Sequence, residues 1–213
     1  MTDDARFWDR IAEKYAQSPV RAPDAYEATL ARMRAHLRPG DRVLELGCGT
    51  GTTAIRLADA AGEIVATDFA EAMLAIARQR AAEAGARNLT FVRHDAASAV
   101  AIGPFDVVMA FNLLHLVRDL DAVLASMAAA LKPGGLLAVK ALCLGEPGLS
   151  LKFRAALLLL PLMQLAGRAP WLARRDVAAF EQAIRRAGFE IVEVGDYPAT
   201  PVNRFVVARK SGG

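Results

Sequence analysis

Cysteine, histidine and tryptophan are scarce in this chain: its 213 residues include two cysteines, three histidines and two tryptophans. Cys48 and Cys143 have no metal-ligand spacing, and two thiols build no disulfide framework. The composition therefore excludes a structural metal site, and a reducing cytoplasm is the simplest setting. Blocks of like charge are missing too. Lys and Arg number 26 against 23 Asp and Glu, a net charge of +3. The isoelectric point near 9.1 reflects a slight arginine excess rather than a basic tail. It permits weak attraction to anionic partners without calling for nucleic acid. There is no internal repeat and no low-complexity linker. The most apolar run, 155–167, falls short of the ~20 residues a bilayer requires, and Pro161 interrupts it. The opening Met1-Thr2-Asp3-Asp4 is acidic, unlike a signal peptide.

What is present is a large apolar fraction, 54%, beside 23% charged residues. That balance argues for an ordered core in a chain long enough for one domain. Phe7, Trp8, Ile11 and Tyr15 recur at helical spacing. The N-terminal part reads as two helices broken near Ser18-Pro19 and Pro23, with a turn at Arg38-Pro39-Gly40-Asp41. From there strands and helices alternate. Strands are expected at 42–46, 63–67, 89–93, 105–111 and 136–141, and helices at 52–61, 71–85 and 118–131. Lys132-Pro133-Gly134-Gly135 closes the last of these helices. A final helix over 174–187 stops at Gly188 and precedes strands at 189–194 and 203–209. Alternation of this kind predicts an α/β fold: a Rossmann-like, doubly wound, mostly parallel sheet with helices on both faces. The two last strands lack an intervening helix, so they are expected as an antiparallel hairpin at one sheet edge. In such sheets ligands bind beyond the carboxyl ends of the strands.

The strongest chemical signal is Val43-Leu44-Glu45-Leu46-Gly47-Cys48-Gly49-Thr50-Gly51. Glycines at alternate positions between a strand and a helix let the backbone turn tightly and approach a ligand. A dinucleotide site of the G-x-G-x-x-G type would want glycine where Thr52 stands. Glu45, just ahead of the bend, would repel a pyrophosphate and suits an ammonium group. S-adenosylmethionine carries an ammonium, a carboxylate and a sulfonium, and no phosphate, so spacing and charge both favour it.

This stretch resembles motif I of the class I S-adenosylmethionine-dependent methyltransferases, and later segments follow in that family's order. Ile64-Val65-Ala66-Thr67-Asp68-Phe69 resembles the second motif, Arg93-His94-Asp95-Ala96 the third, Phe105 through His115 the fourth strand with its loop, and Leu131-Lys132-Pro133-Gly134-Gly135 the turn before the fifth strand. Together they cover about 42–140, and five in order are specific where one is weak. The nearest likeness is to the branch of quinone-biosynthesis C-methyltransferases and related small-molecule enzymes.

The resemblance implies a cofactor site of Glu45, Gly47, Cys48, Gly49, Gly51, Asp68, Phe69, Met73, Asp95, Ala96, Asn112 and Tyr15. Asp68 would hold the ribose hydroxyls, Asp95 the adenine amino group and Ala96 the ring edge. Most of these have plainer readings. Glu45 could be a solvated acid, Asp68 a helix cap, Asp95 a loop acid and Met73 a core residue. Asn112 either caps the following loop or stands beside the methyl donor. Lys14-Tyr15-Ala16 resembles the family's lid, although aromatics such as Trp8 and Tyr15 at helical spacing also build cores. Cys48 and Cys143 read as packing residues. His115 is the one candidate general base, set against a structural role; His36 and His94 have weaker claims. One departure from the family pattern is the missing Ser or Asp cap at Ala70, worth on the order of 1 kcal/mol.

The segment 149–171, with Leu157 to Met163 at its centre, is bordered by Lys152, Arg154, Arg168, Arg174 and Arg175. It reads as a substrate lid that doubles as an interfacial anchor, or as a helix packed on the sheet or at a homodimer face. The chain thus divides into an N-terminal helical lid (1–38), a cofactor-binding core (39–145), an apolar insertion (146–173) and a C-terminal helix with hairpin (174–213). The function expected is methyl transfer to a small-molecule or lipid-like acceptor by direct displacement, leaving S-adenosylhomocysteine, in a cytoplasmic or membrane-peripheral protein. Alignment and water exclusion suffice for that chemistry. The alternatives are a non-catalytic regulatory protein that binds the same cofactor and a nicotinamide-dependent oxidoreductase. Base methylation of DNA is disfavoured, because Asn112-Leu113-Leu114 stands where the base amino-methyltransferases carry a Pro-Pro-aromatic pattern. Fold alone does not name the acceptor.

Overall fold

A computed structural model describes residues 3–146, 149 and 151–211. Met1 and Thr2 of the acidic opening, and the side chains of Lys152 and Arg154 at the apolar segment, lie outside the described residues. Helices α1 (Asp3–Gln17) and α2 (Pro23–Arg34) come first. The core follows as β1 (Arg42–Leu46), α3 (Thr52–Leu57), β2 (Glu63–Asp68), α4 (Glu71–Glu83), β3 (Leu89–Arg93), β4 (Phe105–Phe111), α5 (Leu120–Ala130) and β5 (Leu131–Leu142). The chain continues through α6 (Leu151–Leu165), α7 (Val177–Arg186), β6 (Phe189–Ala199) and β7 (Val202–Lys210).

The strands form one sheet in the order β3-β2-β1-β4-β5-β7-β6. The first five run parallel, while β7 is antiparallel to both β5 and β6. This is the expected doubly wound sheet with its edge hairpin. Strand order reverses between β1 and β4, so a crevice opens beyond their carboxyl ends. The strands are apolar on both faces, as parallel strands between two helical layers must be. Leu30, Met33, Val43, Leu57, Met109, Phe205 and Val207 fill the layer under α2 and α3. Leu44, Leu46, Leu124, Met127, Phe180, Ile184 and Val206 fill the layer under α5 and α7.

The structure corrects several expected boundaries. Helix α5 starts at Leu120 rather than 118, because Asp119 is its N-cap and accepts the amide of Ala122. Likewise Asp176 caps α7 by accepting the amide of Ala179 at 2.7 Å, so that helix begins at Val177. Strand β5 begins at Leu131, before the expected turn. Leu131 pairs with Phe105, then the register slips over Lys132-Pro133-Gly134-Gly135 to resume at Val107 and Leu136. Gly134, at φ 71, allows the slip. The hairpin is longer than expected, since β6 reaches Ala199 despite Pro198. Edge strands tolerate proline, whose missing N–H need face no partner.

Candidate cofactor and acceptor site

Side-chain alternation on β1 sends Leu44 and Leu46 to the α5 side, and Val43 with Glu45 to the α2–α3 side. Glu45 is 3% exposed. It accepts a backbone hydrogen bond from Ala54 in the first turn of α3, yet its Oε2 has no partner. Burial, only partly offset by that bond, pushes its pKa up to about 8, and the nearby Asp68 adds to the rise. A buried carboxyl oxygen without a donor is costly, and it marks where a cationic group belongs.

The bend after Glu45 holds Gly47, Gly49 and Gly51 at φ 66, 53 and 74. Two of the three are closely packed. A Cβ on Gly47 would sit 2.7 Å from Leu113 Cδ1, and one on Gly51 would sit 2.9 Å from Ala77 Cβ. At Gly49 the space is open, and Tyr15 Cε1, 3.9 Å from the Cβ position, is the one atom near. Gly49 is therefore where the backbone faces the crevice. Cys48 is buried, its amide given to the carbonyl of Thr67, and burial raises its thiol pKa well above the usual range. It and the buried Cys143 pack, as expected.

Asp68 ends β2 beside this bend. Its Oδ2 accepts the amide of Gly49 at 2.9 Å and its Oδ1 the amide of Ala70 at 2.9 Å. Burial raises its pKa against those bonds. The amide of Phe69 adds a third backbone bond to this carboxylate. Phe69 and Met73 pack with Ala12 and Ala70 under α1, and Met73 is fully buried in that seam. Asp95 is exposed, with Oδ1 holding the amide of Ala97 at 2.8 Å, and Ala96 is half-buried against the core.

At the end of β4, Asn112 lies in the left-handed region at φ 59. A non-glycine residue there is uncommon and often functional. Its Oδ1 accepts Asn203 Nδ2 from β7 at 2.9 Å, while the Oδ1 of Asn203 is buried without a partner. His115 does not face the crevice as a free base. It is largely buried, its Nδ1 accepts the amide of Leu142 at 3.4 Å, and its carbonyl accepts the amide of Ala173. Burial, then Arg175, lowers its pKa to about 4. That is the placement of a neutral brace.

Helix α1 packs against α4 and brings Tyr15 beside Gly49. Trp8 and Tyr15 meet edge to face at 5.9 Å, and Tyr15 is half exposed. Burial first, then the charge of Asp68, raises the Tyr15 pKa. Two residues absent from the sequence-based set fasten this helix. Asp9 Oδ1 accepts the amide of Ala72, and Arg80 reaches both the carbonyl of Ala16 at 2.7 Å and Thr50 Oγ1 at 2.9 Å. No short-range signal could reveal either bond, since each spans more than 60 positions or joins separate elements. His36 lies away from the crevice, bound to Glu193 at 2.7 Å, and His94 is on the loop after β3.

Helix α6 turns most of its leucines outward, while Leu157 and Leu160 are half-buried. Leu158, Leu159, Leu162 and Leu165 are 77%, 58%, 66% and 89% exposed. Among the described residues, no helix is long and apolar enough to cross a membrane.

Comparison with known proteins places the motifs in context. The family described as a methyltransferase domain is matched over residues 43–135. A ubiquinone biosynthesis O-methyltransferase of Bordetella avium is 31% identical over 132 residues, covering 62% of this chain and 54% of that protein. A demethylmenaquinone methyltransferase of Corynebacterium efficiens is 32% identical over 141 residues, covering 64% and 58%. The chain thus spans about half the length of the curated relatives it matches. Among solved structures, the magnesium protoporphyrin IX methyltransferase of Synechocystis PCC 6803 with bound S-adenosylmethionine superposes with a TM-score of 0.72. Its identity is 18%, over 99% of this chain and 98% of that one, a likeness of fold.

Proposed function

Residues 43–135 are a methyltransferase domain of the class I, S-adenosylmethionine-dependent kind, and from that premise we propose that the chain transfers a methyl group from this cofactor to a small-molecule or lipid-like acceptor. The observation that carries the reading is the buried, unpartnered Oε2 of Glu45 above a glycine bend. An ammonium satisfies that oxygen, whereas a pyrophosphate at the same place meets an acid. The residues present fit the cofactor: Glu45 for the ammonium, Asp68 for the ribose hydroxyls, and Met73, Asp95 and Ala96 on the adenine side.

When bound, S-adenosylmethionine supplies a methyl carbon activated by its sulfonium. The work left to the chain is alignment and exclusion of water. Tyr15 on α1, braced by Trp8, closes over Gly49, and Asp9 and Arg80 hold that helix down. Asn112, held left-handed at the end of β4 and gripped by Asn203, orients the acceptor side. A side chain dedicated to proton removal is not required for a displacement at so activated a carbon. His115, buried and neutral, serves the fold.

The test is calorimetric titration of S-adenosylmethionine into wild type, Glu45→Ala and Asp68→Ala, followed by a screen of acceptors with labelled cofactor that includes quinol precursors and phospholipid headgroups. Each substitution removes charge-assisted bonds worth about 1.5–3 kcal/mol, so affinity should fall at least about tenfold. Unchanged affinity in both variants removes the site. Cofactor binding without S-adenosylhomocysteine from any acceptor favours the regulatory alternative, and tight NAD binding in its place the oxidoreductase.

A second observation bears on where the acceptor is met. The outward leucines of α6 and the neighbouring exposed Arg168 and Arg174 suit an apolar, anionic surface. We propose that 149–171 contacts the membrane peripherally. Sedimentation with phosphatidylglycerol vesicles, lost in a Leu158→Gln/Leu162→Gln variant, is the expected result; a dimer that buries the same leucines would replace it.

A further inference from the structure

Lys140 stands near the carboxyl end of β5, on the sheet face that also carries Phe111, Phe205 and α2. It is 4% exposed. Its Nζ donates to Thr29 Oγ1 at 2.9 Å, and Thr29 in turn gives its hydroxyl proton to the carbonyl of Ala25. No acid is paired with this amine among the described residues. Of the three acids on β6, the next strand beyond β7, Glu190 is exposed and the other two are engaged elsewhere: Glu193 with Arg32 and His36, and Asp196 with Arg204. Burial alone lowers the Lys140 pKa, to about 8. An ammonium with one hydroxyl partner in an aromatic layer is poorly compensated; a methionine of similar length would sit there at less cost.

The neighbours of Lys140 say what could compensate it. Lys140 is the ladder partner of Phe111, and its carbonyl accepts the amide of Asn112 at 2.8 Å. It is also the ladder partner of Phe205, two positions from Asn203, on the same face. The backbone of Lys140 thus runs one strand spacing, about 4.8 Å, from the end of β4. There a strained Asn112 is bonded to an Asn203 with a free buried oxygen. A buried cation without an acid on β5 and a buried acceptor without a donor on the same face of β7 match an ionisable hydroxyl. The oxyanion goes to the amine, and a neighbouring hydroxyl proton goes to the amide oxygen.

We propose that Lys140, with the Asn112–Asn203 pair beside it, binds the oxyanion of an acidic hydroxyl on the methyl acceptor and so favours its deprotonated, nucleophilic form. This rests on the methyl-transfer reading above, and it names the acceptor class: an acidic alcohol or phenol rather than an amine, which the cation would repel.

The test uses 4-nitrophenol, whose phenolate absorbs where the phenol does not, added to protein saturated with S-adenosylhomocysteine at a pH below the free phenol's own pKa. Wild type should show the phenolate band on binding. Lys140→Met should weaken phenolate binding about tenfold or more, with unchanged affinity for S-adenosylhomocysteine and an unfolding midpoint at or above that of wild type. Asn203→Leu should weaken the probe by a smaller factor. Intact S-adenosylhomocysteine binding with no phenolate band, or with a band that Lys140→Met retains, overturns the role of Lys140 alone. Failure of wild type to bind S-adenosylhomocysteine instead overturns the cofactor reading beneath it.

Discussion

The Oδ1 of Asp9 on α1 accepts the amide of Ala72 in the first turn of α4 at 2.9 Å. Helix α4 carries no cap of its own at Ala70, so its orphan donors are met by Asp68 from the strand before it and by Asp9 from the lid. Helix α1 is thereby fastened four residues after Asp68, the acid proposed to hold the ribose hydroxyls. Asp9→Ala should cost about 1 kcal/mol, a fall of about 2–4 °C in Tm for a chain of this size. Cofactor affinity should fall as well, because α1 is released. Thermal unfolding, with hydrogen exchange over 3–17, checks both; unaltered exchange there would show that the cap does not hold the lid.

Glu45 gives a proton-linked signature. Its pKa of about 8 in the fold exceeds the ordinary carboxylate value. The cost of ionising it builds as pH rises above about 4.5 and is complete above 8. At neutral pH the group is mostly protonated, and an arriving ammonium draws it into the charged form. Binding of S-adenosylmethionine at pH 7 should therefore release up to about one proton. Calorimetry in two buffers of different ionisation enthalpy measures it. Glu45→Gln should abolish most of the release and weaken binding. It should also raise the Tm of the free protein at pH 8 by about 2–4 °C, for a gain on the order of 1 kcal/mol. A Tm unchanged or lowered at pH 8 would contradict a costly buried acid.

Much of this arrangement was legible in the sequence. The strands β1, β3 and β4 stood out at their observed limits because their apolar runs are bounded by turn residues such as Gly40-Asp41 and Gly103-Pro104. Glu45, Asp68 and the glycine bend were legible because all their chemistry is local, a strand running into a helix. The slip in β5 was hidden because it depends on which residue of β4 Leu131 meets. Asp9, Arg80, Thr29 and Asn203 were hidden for a similar reason: each acts across the tertiary fold, and nothing near it in the sequence marks its partner. Lys140 was masked by its setting, a charged residue at the end of an apolar strand reading as solvated until the sheet and α2 enclose it.

The three glycines of the bend should separate by substitution. Gly51→Ala places a Cβ against Ala77 and Phe91 in a left-handed backbone. The conformational penalty of roughly 1–2 kcal/mol then adds to overpacking of roughly 1–3 kcal/mol, and the protein should be severely destabilised. Gly49→Ala meets only the conformational penalty, since its Cβ position is open. That variant should fold, with Tm lowered by several degrees, and fail to bind S-adenosylmethionine. Equal stability of the two variants in urea would mean that Gly51 is not the packed member of the pair.

Glu193 supplies the last test, at the far side of α2. Its carboxylate holds Arg32 through two bonds, at 2.5 and 2.6 Å, and His36 at 2.7 Å. These fasten α2, and with it Thr29 above Lys140, to the edge strand β6. The bond to Arg32, followed after the opposing effect of burial by that to His36, brings the Glu193 pKa down to about 2. The folded value lies below the unfolded one, so the stabilisation is present in full above the ordinary carboxylate range and is lost as pH falls from about 4 towards 2. Arg32 is 47% exposed, and solvent screening there reduces the worth of the cluster to about 1 kcal/mol or less. Glu193→Gln should therefore be less stable than wild type by that amount at pH 7, and the difference should shrink steadily below pH 4. Urea unfolding of both proteins across that range checks it. A deficit that persists undiminished at pH 2 would assign the effect of the substitution to packing rather than to charge.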